Sequence, residues 1–197
     1  MKFLAAIEKR RSIRDINNTI DIEESELIDI IKHNLKHTPS AYNAQSQKVM
    51  VLLGEQHLKF WNLTKEALRK IVPEKNFGST ESKMDNFGAG YGTILFFDDL
   101  TITNGLVDKF PTYKQNFLTW AEQQNGMLQA NIWSSLASKN IGASLQHYNE
   151  IIENQLESAF GVSKNCKLIA QMPFGGILKE PSQKQFQNVE SRIIIIK

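Results

Sequence analysis

The sequence predicts a mixed α/β single domain spanning residues 1–197, on three observations. Short apolar runs alternate with stretches of helical periodicity. A chain of 197 residues suffices for one sizeable core. No linker, internal repeat or low-complexity tract divides it.

Residues 2–10 suit a short helix with Phe3, Leu4 and Ile7 on one side. A second helix follows Asp21, whose neighbouring acids suit a positive helix start, with Leu27, Ile30, Ile31 and Leu35 at helical spacing. Pro39 ends it, and a loop runs from Thr38 to Gln47. Val49 to Leu53 reads as a buried strand stopped by Gly54, and residues 56–72 as a helix closed by Pro73. Residues 74–92, polar and glycine-bearing, read as an irregular loop. Thr93 to Phe97 is a second buried strand, ended by Asp98 and Asp99. Helices are expected over 112–124 and 127–139, an extended segment over 141–146, and a helix over 151–160 ending at Gly161. Lys167 to Met172 is a third strand, and Ser191 to Lys197 reads as a β-branched strand in need of a partner.

Composition excludes several classes. Hydrophobic residues at 41% and charged residues at 22% argue against long disorder. A net charge of +2, without a concentrated basic face, argues against nucleic acid as a partner. Cys166 is the lone cysteine, so neither an intrachain disulfide nor a Cys-based zinc site can form, and it is expected as a buried structural thiol. The apolar stretch Phe3 to Ile7 is too short for a secretory signal, and Ile193 to Ile196 falls far below the roughly 20 residues of a membrane span. A cytoplasmic protein without membrane partners is the expectation.

Four segments carry chemistry. Arg10-Arg11-Ser12-Ile13-Arg14 offers planar guanidinium forks and a hydroxyl, donors matched to phosphate oxygens. A solvated basic patch at a helix end is the bland reading. Pro39-Ser40-Ala41-Tyr42-Asn43-Ala44-Gln45-Ser46-Gln47 packs hydroxyls and amides suited to the edge of a planar heterocycle, or simply forms a turn. Gly142 to Tyr148 is a strand end whose small residues would let backbone approach a ligand. His147 there is a candidate general acid–base, but without a carboxylate beside it a hydrogen-bonded neighbour is the commoner case. Lys179 to Lys184 follows with a lysine that would supply a point charge. No dinucleotide fingerprint, Walker loop, nucleophile elbow or metal-binding His-Glu motif occurs. Phosphate and planar-ring recognition remain.

In this order the segments resemble those of the nitroreductase-like flavoproteins. Arg10 to Arg14 is similar to the family's N-terminal Arg-x-Ser-x-Arg/Lys motif, and Pro39 to Gln45 to its Pro-Ser-x-x-Asn-x-Gln loop. Gly126 to Ser134, Ile141 to Tyr148 and Met172 to Gly176 resemble a short branch whose members are often labelled fatty-acid-repression-mutant proteins.

The resemblance implies an α+β fold with a central, mostly antiparallel sheet surrounded by helices, intertwined as a homodimer with FMN at the interface. Arg10 and Ser12 would hold the phosphate or ribityl chain with Arg11 nearby, Arg14 would reach the ribityl and pyrimidine side, and Lys184 would complete the phosphate site. Ser40, Ala41 and Asn43 would come from the other subunit, with Gln45 supporting that loop. Backbone around Leu145, Gln146 and His147 would face the ring near N5.

NADH or NADPH would reduce the flavin and a nitroaromatic or quinone would reoxidise it, a ping-pong cycle requiring no catalytic side chain. Two rivals stand beside this reading: a flavin-binding regulatory or redox-sensing protein with little turnover, and an interaction module meeting an acidic partner.

Overall fold

A computed structural model describes residues 2–197. In chain order the elements are α1 (Phe3–Lys9), β1 (Ile16–Asn17), α2 (Glu24–His37), β2 (Gln47–Leu53), α3 (Gly54–Arg69), α4 (Glu74–Gly88), β3 (Gly92–Asp99), α5 (Leu100–Lys109), α6 (Lys114–Ser138), β4 (Ile141–Ala143), α7 (Asn149–Phe160) and β5 (Cys166–Ile177). The strand order is β1-β5-β3-β2, with β4 also on β5, and every ladder between them is antiparallel. This is the α+β arrangement that the family resemblance implies.

β3 is buried along its whole length, so it reads as a continuous apolar run rather than as alternation. Its side chains still divide between two faces. Leu95 and Phe97 join Phe60, Trp61, Phe87 and Leu156 under α3, α4 and α7. Ile94 and Phe96 join Leu27, Ile31, Leu128 and Ile132 under α2 and α6. A register shift between Phe96 and Phe97 pairs Phe96 with Ala170 but Phe97 with Leu168.

Three expectations are corrected, and one segment without an assignment is filled. Residues 74–88 form α4, because Phe77, Met84 and Phe87 share a buried helical face despite Gly78. Residues 100–109 form α5, started by Asp99, whose side chain accepts from the Thr101 amide. The two helices expected around Gly126 are one 25-residue helix, α6, about 37 Å long. Ser191 to Lys197 pairs with no strand among the described residues; Val189–Arg192 is a short helical turn and Ile193 to Ile196 are exposed. No helix among the described residues is long and apolar enough to cross a membrane.

Candidate active site

The basic segment is built where α1 gives way to extended chain at Arg10. Ser12 bridges to Ala143 of β4, and the Ile13 amide donates to the Ala143 carbonyl at 2.9 Å. Trp133 Nε1 of α6 donates to that same oxygen at 3.2 Å. Gly142 permits the approach, since a Cβ there would lie 2.9 Å from Ile13 Cγ2. The small residue therefore serves the chain's own backbone packing rather than direct access for a ligand.

Above this junction the Arg10 guanidinium lies over the Trp133 ring, 4.4 Å from its centroid. Arg11 Nη2 donates to the Ser182 carbonyl at 2.7 Å, anchoring the C-terminal segment two residues before Lys184. Lys184 is exposed, its ammonium 5.2 Å from the Phe186 ring centroid. Arg14 is exposed.

Electrostatically this corner is unfinished. Six lysines and Arg69 pair with carboxylates; Arg10, Arg11, Arg14 and Lys184, like most of the surface lysines, enter no ion pair among the described residues. Burial pushes the Arg10 pKa below its ordinary value, and the Arg11 charge adds to the effect. Neighbouring guanidiniums without an internal carboxylate suit an external oxyanion.

The third segment continues from β4. The Gln146 amide donates to the Gln171 carbonyl at 2.7 Å and Gln171 returns the bond at 2.9 Å. Strand alternation turns the Leu145 and His147 amides away from β5. The Gln146 side chain is buried and donates to Ser144 Oγ at 3.0 Å, so it is internal support. Gln171 Oε1 accepts from the Tyr148 amide at 2.7 Å, holding the exit of the segment. The His147 ring is exposed.

The Ser40–Gln45 loop is a 3-10 turn followed by a sharp reversal. Tyr42, Asn43 and Gln45 adopt left-handed φ values of 55°, 52° and 54°, a conformation that costs non-glycine residues about 1–3 kcal/mol each. Ser40 Oγ accepts from the Gln45 amide at 2.9 Å, and Gln45 Nε2 donates to the Asn43 carbonyl at 3.3 Å. Tyr42 packs on Phe110 and Phe117, with ring centroids 5.4 and 5.5 Å away. The Ala41 amide donates to Gln124 Oε1 of α6 at 3.1 Å. Ala41, Tyr42, Trp120, Gln123, Gln124 and Met127 line an open, largely apolar cavity of about 340 Å³.

Sequence reasoning did not single out Gln124, Trp133 or the aromatic group of Tyr42, Phe110, Phe117 and Trp120. Spacing held a partial signal: Phe117, Trp120, Ala121 and Gln124 recur at i, i+3, i+4 and i+7.

Within one chain the predicted residues other than Arg14 gather in two groups. Arg10, Arg11, Ser12, Leu145, Gln146 and His147 cluster around Ala143, and Arg11 tethers the segment that carries Lys184. Ser40, Ala41, Asn43 and Gln45 attach to α6 through Gln124, nine residues before the Trp133 that carries Arg10, or about 13 Å along the helix. The first group supplies cations and outward backbone amides, and the second a rigid loop beside an apolar cavity. This donor set fits a phosphorylated planar heterocycle.

The fold and donor set define a nitroreductase-type protein. The Nitroreductase family model matches residues 7–176, and the chain belongs to that family. In sequence it is similar to two proteins of Saccharomyces cerevisiae. HBN1 is 27% identical over 186 residues, covering 93% of this chain and 92% of that protein. The nitroreductase FRM2 is 28% identical over 190 residues, covering 94% and 93%. Both fit the short fatty-acid-repression-mutant branch. In structure it is similar to nitroreductase CinD from Lactococcus lactis in complex with chloramphenicol, with a TM-score of 0.91, 31% identity and full coverage of both chains. A nitroreductase with bound FMN from Desulfitobacterium hafniense shares the fold at a TM-score of 0.73 and 15% identity, again over both whole chains.

Proposed function

We propose that the chain is an FMN-dependent oxidoreductase that passes electrons from NADH or NADPH to nitroaromatic, quinone or similar small acceptors. The observation that carries this reading is the Arg10–Arg11 pair, unpaired by carboxylate and seated beside outward-facing strand amides. When bound, FMN supplies the two-electron chemistry, alternating between donor and acceptor in a ping-pong cycle.

The chain's own share is binding and electrostatics. Arg10, Ser12 and Lys184 hold the phosphate and ribityl end. Arg11 contributes charge while fastening the tail, and Arg14 faces the ribityl and pyrimidine side, where a cation favours the reduced, anionic flavin. The Leu145 and His147 amides face the ring edge, supported from behind by Gln146. No side chain is assigned a catalytic proton transfer.

Ser40, Ala41 and Asn43, braced by Gln45, complete the site from a second copy, so the unit is a homodimer with the whole chain as one domain. A homodimer would cover apolar side chains of α1 and the tail, where Leu4 is 76% exposed, Phe186 80% and Ile194 89%. The one cysteine, Cys166, is half-buried rather than fully buried, and burial pushes its thiol pKa up, which suits an inert structural thiol in a cytoplasmic protein.

The experiment is NAD(P)H oxidation by FMN-loaded protein with menadione or a nitroarene. Turnover dependent on both FMN and acceptor supports the proposal. A flavin-loaded protein inert with both nucleotides and all acceptors contradicts it and favours the sensing role.

A further inference from the structure

Beneath the Ser40–Gln45 loop lies a buried polar chain that starts from a carboxylate. Asp98, at the end of β3, is 3% exposed and packs against no cation in an ion pair among the described residues. Its Oδ1 accepts from Ser46 Oγ at 2.6 Å and its Oδ2 from Thr103 Oγ1 at 2.7 Å. A carboxylate only accepts, so Ser46 spends its single proton there and its oxygen must accept in turn. Gln124 Nε2 provides that donor at 2.7 Å. The amide orientation of Gln124 is thereby determined, and Oε1 faces the Ala41 N–H at 3.1 Å. Thus one buried charge sets the donor–acceptor direction of a relay that ends on the loop's backbone. Gln47 adds a second tie, its Nε2 donating to the Pro39 carbonyl at 3.3 Å.

We infer that Gln124, oriented by Ser46 and Asp98, is a positioning residue that holds the Ser40–Gln45 loop in the conformation with which it meets the flavin. Three left-handed non-glycine residues would relax toward other conformations without such a brace. Ser46 and Gln124 are 0% and 3% exposed, so solvent cannot replace a lost link without penetrating the core. The functional consequence rests on the FMN reading; the structural claim does not.

The test compares the full-length wild type with Ser46→Ala, Gln124→Met and a control, Thr64→Val. Thr64 is equally buried, on α3, and donates only to the Phe60 carbonyl at 2.9 Å. Hydrogen exchange of residues 40–46 is measured without flavin, and FMN affinity by fluorescence titration. Ser46→Ala and Gln124→Met should speed loop exchange and weaken FMN by about tenfold, the effect of one buried bond lost with its partner left unsatisfied. Thr64→Val should leave both readouts unchanged. Unchanged loop exchange in Ser46→Ala, the mildest change, overturns the relay. Faster exchange with unchanged FMN affinity overturns its role at the site. A wild type that takes up no FMN removes the functional reading, while the exchange comparison still decides the relay.

Discussion

Arg10 and Trp133 form a cation–π pair, the guanidinium carbon 4.4 Å from the indole centroid, on the carbonyl that also fastens Ile13. The ring both supports the charge and links α6 to the basic segment. Trp133→Leu should weaken FMN binding by about 0.5–2 kcal/mol, the range of such pairs from exposed to desolvated sites. Trp133→Phe keeps a ring face and should lose less. Fluorescence titration measures both.

The cations without carboxylate partners make a second prediction. Arg10→Ala and Lys184→Ala should each cost FMN binding about 1.5–3 kcal/mol, the value of a charge-assisted hydrogen bond. Riboflavin lacks the phosphate, so its weaker binding should change little in either variant. Equal losses for FMN and riboflavin would show that these side chains do not read the phosphate.

His57 governs stability against acid. Its ring is 2% exposed, with Nε2 3.2 Å from the Gly88 carbonyl and Nδ1 2.8 Å from Thr93 Oγ1. A carbonyl only accepts, so Nε2 carries the proton and Nδ1 accepts from the Thr93 hydroxyl, which itself accepts from Trp61 Nε1 at 2.8 Å. Burial pushes the His57 pKa down to about 4. The unfolded ring protonates near its ordinary 6.5, so below that pH the unfolded state binds more protons. The His57 contribution to stability is complete above pH 6.5 and falls as pH drops toward 4, by roughly 3 kcal/mol. Urea unfolding across that window should show the slope, and His57→Gln should flatten it.

His147 presents an exposed ring, and its backbone is its contribution to the proposed site. His147→Ala should leave kcat within about threefold of wild type, whereas a positioned general acid–base contributes about 100- to 10,000-fold. A loss of that size with FMN still bound would assign the imidazole a proton transfer.

Continuous apolar strands were the most legible part of the fold. β2, β3 and β5 announce themselves as apolar runs such as Ile94-Leu95-Phe96-Phe97, and β3, covered on both faces, needs no alternation. Glycines misled in the helices. Gly126 falls between the two helices expected from the sequence yet sits inside α6, where packing of Leu128, Ile132 and Leu136 outweighs its helix cost of about 1 kcal/mol. Gly78 and a polar composition likewise hid the Phe77–Met84–Phe87 face of α4. Ile193 to Ile196 carry strand propensity, but propensity alone cannot supply a neighbour.

The site was legible as donor chemistry but not as geometry. Arg10 to Arg14 and Ser40 to Gln45 were identifiable because phosphate and amide recognition require those residue types. The second role of Arg11, as a tether on the Ser182 carbonyl 171 positions away, has no local signature. Gln124 was invisible for the same reason, since its partners Ser46 and Ala41 come from a distant loop.

The most direct test is the mass and flavin content of the protein purified and dialysed with FMN. Light scattering coupled to absorbance should give a particle of twice the 22.5 kDa chain mass carrying one FMN per chain. A colourless particle of single-chain mass, with no FMN retained, would contradict the account.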